Sequence, residues 1–182
     1  MYLDRPALAL RSAGAKGYGV FATEAFAPQD LVLVFGGRRL LASAVSDFTH
    51  VIQVSAGEFL GPSGEIDDYV NHSCDPNTGL REGNAGSGLE LFALRAIEPG
   101  EEITFDYSTC IDLEPTWPSC ACGSPLCRGR VVAFRDLPPM VRRRYRAQGA
   151  VPAFSLASES DVAAGPHRQH LRARRRRSAD RK

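Results

Sequence analysis

Over most of the chain, apolar positions come in runs of a few residues, each closed by glycine, proline or aspartate before a helical repeat can develop. Ala7–Leu10 reads as a first strand, the glycine-rich turn GAKGYG follows, and Val20–Ala22 is the next apolar run. Pro28 and Asp30 mark a turn ahead of a strand over Leu31–Phe35. Val51–Val54 and Phe59–Leu60 flank Gly57 in the manner of a hairpin. Leu89–Leu94 leads to the turn Glu98-Pro99-Gly100-Glu101, and Ile103–Tyr107 is a further strand. Many short strands punctuated by Gly and Pro predict a β-rich α+β fold. Helical signals are few. Ala42–Phe48 is a short one; Pro138–Gln148 is better, with proline at its start and Gly149 just past its end. Beyond Pro152 the chain turns Ala/Ser/Gly-rich, and from Gly165 it runs into the arginine tract RARRRR. That composition cannot bury a core and predicts a disordered basic tail over 151–182.

Charge adds an asymmetry that the apolar pattern does not show. The formal net charge is +1, yet residues 1–127 carry 17 acidic and 7 basic side chains, whereas residues 165–182 carry 8 basic and one acidic. Such a split predicts a body that attracts basic partners or is acidic for solubility alone, and a tail that attracts phosphate backbones or is merely solvated. No apolar run reaches the roughly 18 residues of a membrane span, and no secretory signal is expected. A cytoplasmic, reducing compartment follows as the expectation (nuclear or chromatin-associated in a eukaryote), where cysteines bind metal or do chemistry.

Three constellations carry chemistry. Cys120, Cys122 and Cys127 form C-x-C-x4-C, with Gly123 and Pro125 shaping the turn. Three thiolates this close suit a tetrahedral zinc, which needs a fourth ligand from Cys74, Cys110 or a histidine. Asn71-His72-Ser73-Cys74-Asp75-Pro76-Asn77 gathers several donors and acceptors in one loop, a pattern that by itself also fits an Asx turn. Glu101–Tyr107 is a strand whose far end sets a tyrosine beside an aspartate. Gly17–Ala22 also fits G-x-G-x-x-A, but Pro28 interrupts before a helix could follow, which excludes a dinucleotide-binding βαβ unit.

In this order the pieces resemble the SET domain followed by a post-SET zinc segment, across Ala7 to Gln148. KGYGVFA (16–22) is similar to the first cofactor motif of that family, NHSCDPN (71–77) to the third, GEEITFDY (100–107) to the fourth and CACGSPLCRG (120–129) to the post-SET motif. The resemblance implies a fold of small curved sheets with a knot-like core, a SET domain over 1–109 and a post-SET segment with a helix over 110–150. It implies a protein-lysine N-methyltransferase that uses S-adenosylmethionine. Lys16, Gly17, Tyr18, Gly19, Asn71 and His72 fall on cofactor contacts, and Trp117 on a cofactor wall. Cys74 becomes the fourth ligand of a structural zinc beside Cys120, Cys122 and Cys127, leaving Cys110 free. Tyr107 takes the catalytic role of orienting the amine, and Phe105 falls on a product-size switch, where phenylalanine goes with multiple methylation.

Two positions depart from the family pattern. Asp68 stands where many relatives have arginine, and His50 stands near where many carry a tyrosine. They keep open a second reading, a SET-fold module that binds cofactor or basic peptide but turns over slowly. The expected partners are a basic protein with an accessible lysine and, through the arginine tail, nucleic acid; no membrane partner is expected.

Overall fold

The computed structural model describes residues 7–83, 88–112 and 119–164, excepting the side chains of 159–164. Its ten short strands form four small sheets among the described residues. β1 (Leu8–Ser12) and β2 (Tyr18–Ala22) are an antiparallel pair, with Leu8 opposite Ala22 and Ser12 opposite Tyr18. A single 3-10 turn, Gly14–Lys16, joins them. It closes on Gly17, whose φ of 82° a side chain would strain. β3 (Leu31–Val34), β9 (Leu89–Ala93) and β8 (Thr78–Glu82) make one antiparallel sheet in that order. β4 (Arg39–Leu41), β6 (Glu58–Leu60) and β5 (Ile52–Ser55) make another, which contains the hairpin expected around Gly57.

The pair that builds the centre is the shortest. β7 (Asn71–His72) runs parallel to β10 (Thr104–Phe105), with Asn71 opposite Thr104 and His72 opposite Phe105. Side chains carry the pairing beyond the strands. Asn77 donates to the carbonyl of Glu102 over 2.8 Å and accepts from the N–H of Thr104 over 3.0 Å. Thr78 donates to the carbonyl of Thr104 over 2.8 Å. On the other side Ile103 donates its N–H to the carbonyl of Val20, so the segment lies between β2 and the β7 loop. The main-chain groups of Val20, Ile103 and Thr104 are buried and that of Glu102 partly so; an unmade hydrogen bond in such a place costs about 1–3 kcal/mol, so the register is strongly specified.

Two apolar clusters flank this junction. One gathers β2, β3 and β9 through Val20, Val32, Leu91 and Ile97 with Ile103 and Phe105. The other packs Phe92 against Phe134, Leu137, Tyr145 and Val151. α1 (Pro139–Ala147) starts on proline and ends as the sequence predicts. Gly149, φ 65°, donates to Arg146 and Ala150 donates to Tyr145, a Schellman closure.

Four expectations are corrected. Ala42–Phe48 forms only a 3-10 turn, Ala42–Ala44, none of whose residues is buried, and Val45 beyond it is extended. Ile103–Tyr107 is strand only over Thr104–Phe105, because its pairing partner is two residues long; Tyr107–Thr109 then turn as a 3-10 helix. Leu31–Phe35 stops at Val34. The chain does not leave the core at Pro152: α2 (Ala153–Ala164) follows, with Phe154 against the first cluster and Leu156 against the second. Those two apolar side chains outweigh the low-complexity composition around them. The arginine-rich residues 165–182 lie outside the described residues.

Candidate active site and thiol cluster

The junction opens onto a cavity of about 620 Å3 walled by aromatic side chains, including Tyr18, Phe35, Phe59, Tyr69, Phe105 and Tyr107. Tyr107 reaches it because β10 ends at Phe105 and Asp106 caps the following turn through the N–H of Ser108, 3.1 Å away. Its hydroxyl donates to the main-chain carbonyl of Val70 over 2.8 Å. Burial holds the phenol above its ordinary titration range, followed by the fields of Cys110 and Glu102, so Tyr107 stays a neutral donor. The Phe105 ring lies 4.9 Å from that of Tyr107 and edge-on to Phe35 at 5.6 Å.

Lys16, Tyr18 and Asn71 share the same cavity wall. Asn71 donates to the carbonyl of Tyr18 over 2.9 Å and to Glu102 over 2.8 Å, and Lys16 pairs with the other oxygen of Glu102. Gly19 is required where these groups converge: a Cβ there would stand 2.7 Å from Glu102 and 2.9 Å from Asn71. A cavity of this size suits a small-molecule ligand, and the Lys16–Glu102–Asn71 group offers both signs to a zwitterion.

Behind Tyr107 lies a buried ionic node. The carboxylate of Asp106, without exposure, accepts from Arg128 at 2.7 Å and from the Tyr145 hydroxyl at 2.8 Å. Arg128 also donates to the carbonyl of Cys74 over 3.2 Å. The node therefore ties the Tyr107 turn to α1 and to the cysteine segment.

The thiols gather beside it. The ligand atoms of His72, Cys74, Cys120 and Cys122 all lie within 4.8 Å of one another, and the Cys74 and Cys120 sulfurs are 3.8 Å apart. Tetrahedral zinc with bonds of about 2.3 Å sets its sulfurs roughly 3.8 Å apart, so the spacing fits. Main-chain N–H groups point at the sulfurs, Arg128 at Cys74 and Gly129 at Cys127, each over 3.4 Å. Burial alone would raise the Cys122 thiol, but main-chain hydrogen bonds and the neighbouring thiols outweigh it and bring it down to about 7. Cys127 sits at the rim, exposed, its thiol donating to the main-chain carbonyl of Cys120 over 3.7 Å.

His72 serves this cluster rather than the cavity wall. Its Nδ1 accepts the N–H of Tyr107 over 3.2 Å, which leaves the proton on Nε2, 3.3 Å from the Cys74 sulfur. Burial first, with the charges of Arg128 and Lys16 against that of Asp106, lowers the ring to about 4 and keeps it neutral.

The structure thus brings together Lys16, Tyr18, Asn71, Phe105 and Tyr107 around the cavity and Cys74, Cys120 and Cys122 behind it with His72 among their clustered ligand atoms, whereas Cys127 stands outside that set, its thiol against the Cys120 carbonyl. Gly17 and Gly19 shape the turn but do not line the cavity; Cys110 lines it and stands apart from the thiol cluster. Trp117 lies outside the described residues. Asp68 is spent on its own loop, accepting from the N–H groups of Ser63 and Gly64 at 2.8 Å each. Glu102, Arg128 and Tyr145 were not singled out in the sequence, and Asp106 only as the aspartate beside Tyr107. The signal for Asp106 and Arg128 was an acid closing an apolar strand and an arginine directly after the last cysteine.

A family model described as "SET domain" matches residues 17–108, half of the chain. The histone-lysine N-methyltransferase ash1 of Drosophila melanogaster is 44% identical over 63 residues, 34% of this chain and 3% of that protein. The methyltransferase domain of human histone-lysine N-methyltransferase SETMAR superposes with a TM-score of 0.58 at 24% identity, over 69% of this chain and 58% of that one. KRYPTONITE, solved with mCHH DNA, an H3(1-15) peptide and SAH, superposes with a TM-score of 0.58 at 22% identity, over 68% of this chain and 29% of that one. The first curated relatives are far longer proteins, of which the chain spans 3% to 15%.

Proposed function

The chain belongs to the SET-domain family, and on that premise we propose that it transfers methyl groups from S-adenosylmethionine to a lysine side chain of a protein. The observation that carries this reading is the Tyr107 hydroxyl held on the Val70 carbonyl in the wall of an aromatic cavity that also takes in Lys16, Tyr18 and Asn71.

S-adenosylmethionine supplies a methyl group already activated on a sulfonium sulfur. The chain's own task is to hold it, to align an amine with it and to keep that amine neutral. Lys16 and Glu102 suit the carboxylate and the ammonium of its amino-acid end, and the main chain from Lys16 to Gly19 lies alongside them. Tyr107 and the Val70 carbonyl form a fixed polar point at which an incoming amine can be oriented. Phe35, Phe105 and Tyr107 exclude water and disfavour an ammonium there.

Zinc fits the thiols as a structural ion on Cys74, Cys120, Cys122 and Cys127. His72 is left out because its Nε2 carries a proton; it acts as a donor to the Cys74 thiolate and links that sulfur to the Tyr107 main chain. The ion would pin the cysteine segment, and with it Arg128, over the Asp106 node.

The substrate is a basic protein segment, in keeping with the acidic balance of residues 1–127 and with the H3 peptide bound by KRYPTONITE. The arginine-rich tail has the sign of such a substrate, so its partner is nucleic acid, and the compartment follows that of the substrate. No helix among the described residues is long and apolar enough to cross a membrane. Incubating the full chain with tritiated-methyl cofactor and a native lysate, then identifying labelled proteins, tests the reading. Label on lysine of a basic protein supports it; no label above a Tyr107→Phe control overturns it.

A further inference from the structure

A second histidine, His50, stands among the described residues, and its tautomer is the reverse of that of His72. The Nδ1 of His50 lies 2.5 Å from the main-chain carbonyl of Asp68. A carbonyl only accepts, so Nδ1 carries the proton, and the neutral ring keeps its lone pair on Nε2. No hydrogen-bond partner of that Nε2 occurs among the described residues. The residue is exposed and lines the cavity, and its ring leans on that of Tyr69 at 5.1 Å.

The backbone supports the same placement. His50 has a φ of 56°, and only Gln29 shares a left-handed conformation among the described non-glycine residues. Such a conformation persists where surrounding contacts impose it, and here they are the Asp68 carbonyl and the Tyr69 ring.

Resting on the methyl-transfer reading above, we propose that His50 is the proton acceptor for the substrate lysine, at the mouth of the cavity. The ammonium N–H bond breaks, its electron pair stays on the amine nitrogen, and the proton is bound at Nε2 of His50. That lone pair then forms the new N–C bond as the S–C bond breaks with its pair returning to sulfur. The exposed imidazolium releases its proton to bulk water, so one proton leaves per methyl transferred. An imidazole suits this relay because one ring nitrogen can accept a proton and release it again, whereas burial holds Tyr107 as a neutral donor. The groups that act on the imidazolium are the carboxylate of Asp47 in the same loop, Asp68 and Tyr69 on the neighbouring turn, and Lys16 and Asp67 in the cavity wall.

The test is His50→Gly, which suits the left-handed backbone. Single-turnover methyl transfer to a basic lysine peptide is followed from pH 6.5 to 9.5, an interval of about three units centred between imidazole and lysine. At pH 7 the variant is expected to be slower by about tenfold or more, to regain rate as pH rises, and to be rescued by added imidazole. A peptide carrying the more acidic amine of aminoethylcysteine should lose less. A wild-type rate and pH profile in the variant overturns the proposal, as does an equal loss at every pH that neither imidazole nor the acidic amine relieves. A wild-type chain that methylates no lysine refutes the methyl-transfer reading and this proposal with it. An active wild type with an unmoved variant refutes this proposal alone.

Discussion

The hydroxyl of Tyr107 is tied to the carbonyl of Val70, 37 residues away in sequence, by a hydrogen bond of 2.8 Å. The bond aims a phenol into the cavity from a turn that would otherwise be free to rotate it. Replacing Tyr107 by Phe removes the donor and leaves a carbonyl short of a partner, which costs about 1–3 kcal/mol where it is buried. Cofactor affinity by calorimetry should change little, while methyl transfer slows by at least about tenfold, or roughly 1.4 kcal/mol in barrier. Unchanged transfer with a good substrate removes Tyr107 from the mechanism.

The same residue gives a pH expectation. Burial raises the phenol above its ordinary range, so the neutral donor persists at pH values where a free tyrosine has begun to ionise. The rate should therefore show no falling limb near pH 10, the usual phenol value. A fall there that is absent in Tyr107→Phe contradicts the assignment of Tyr107 as a permanently neutral donor.

Asp106 makes a prediction about stability. It accepts from Arg128 and Tyr145 without exposure to solvent, so Asp106→Ala leaves the largely covered guanidinium of Arg128 without its counter-charge. Breaking such a pair costs about 3–5 kcal/mol, whereas Tyr145→Phe should cost about 1–3 kcal/mol. Denaturant unfolding of the two variants distinguishes a node that holds the site together from a dispensable surface pair; equal, small losses rule the node out.

How much of this was legible in the sequence depended on the range of the interactions. The β1–β2 pair, the Gly57 hairpin, α1 and the cysteine cluster are local, and their spacing and turn residues announce them. The β7–β10 pair is two residues long and joins segments far apart, so no periodicity could reveal it. α2 was hidden by composition: Phe154 and Leu156 find their partners only through the folded core. The motif NHSCDPN marked His72 as a cofactor contact, but which face its ring serves is decided by the Tyr107 N–H, a tertiary contact. Asp68 looked like a missing cation and turned out to be a loop cap.

For the thiol cluster, metal analysis of the purified chain should give about one zinc, as a closed four-ligand site requires. Cys122→Ser and Cys127→Ser should lower that content. Cys110→Ser should not, because Cys110 lies apart from the cluster against the Tyr107 carbonyl. His72→Gln separates the two possible ligand sets: retained zinc agrees with His72 as a donor to Cys74, and lost zinc makes it a ligand.

Mass spectrometry reads methyl transfer itself on a basic lysine peptide incubated with S-adenosylmethionine and the full chain, its Tyr107→Phe variant or its Phe105→Tyr variant. The account predicts methyl groups on lysine, more than one per side chain in the wild type because Phe105 adds no hydroxyl to the cavity wall. It predicts predominantly single methylation with Phe105→Tyr and little product with Tyr107→Phe. A wild-type chain that binds the cofactor yet leaves every lysine unmodified, across basic peptides of varied sequence, contradicts it.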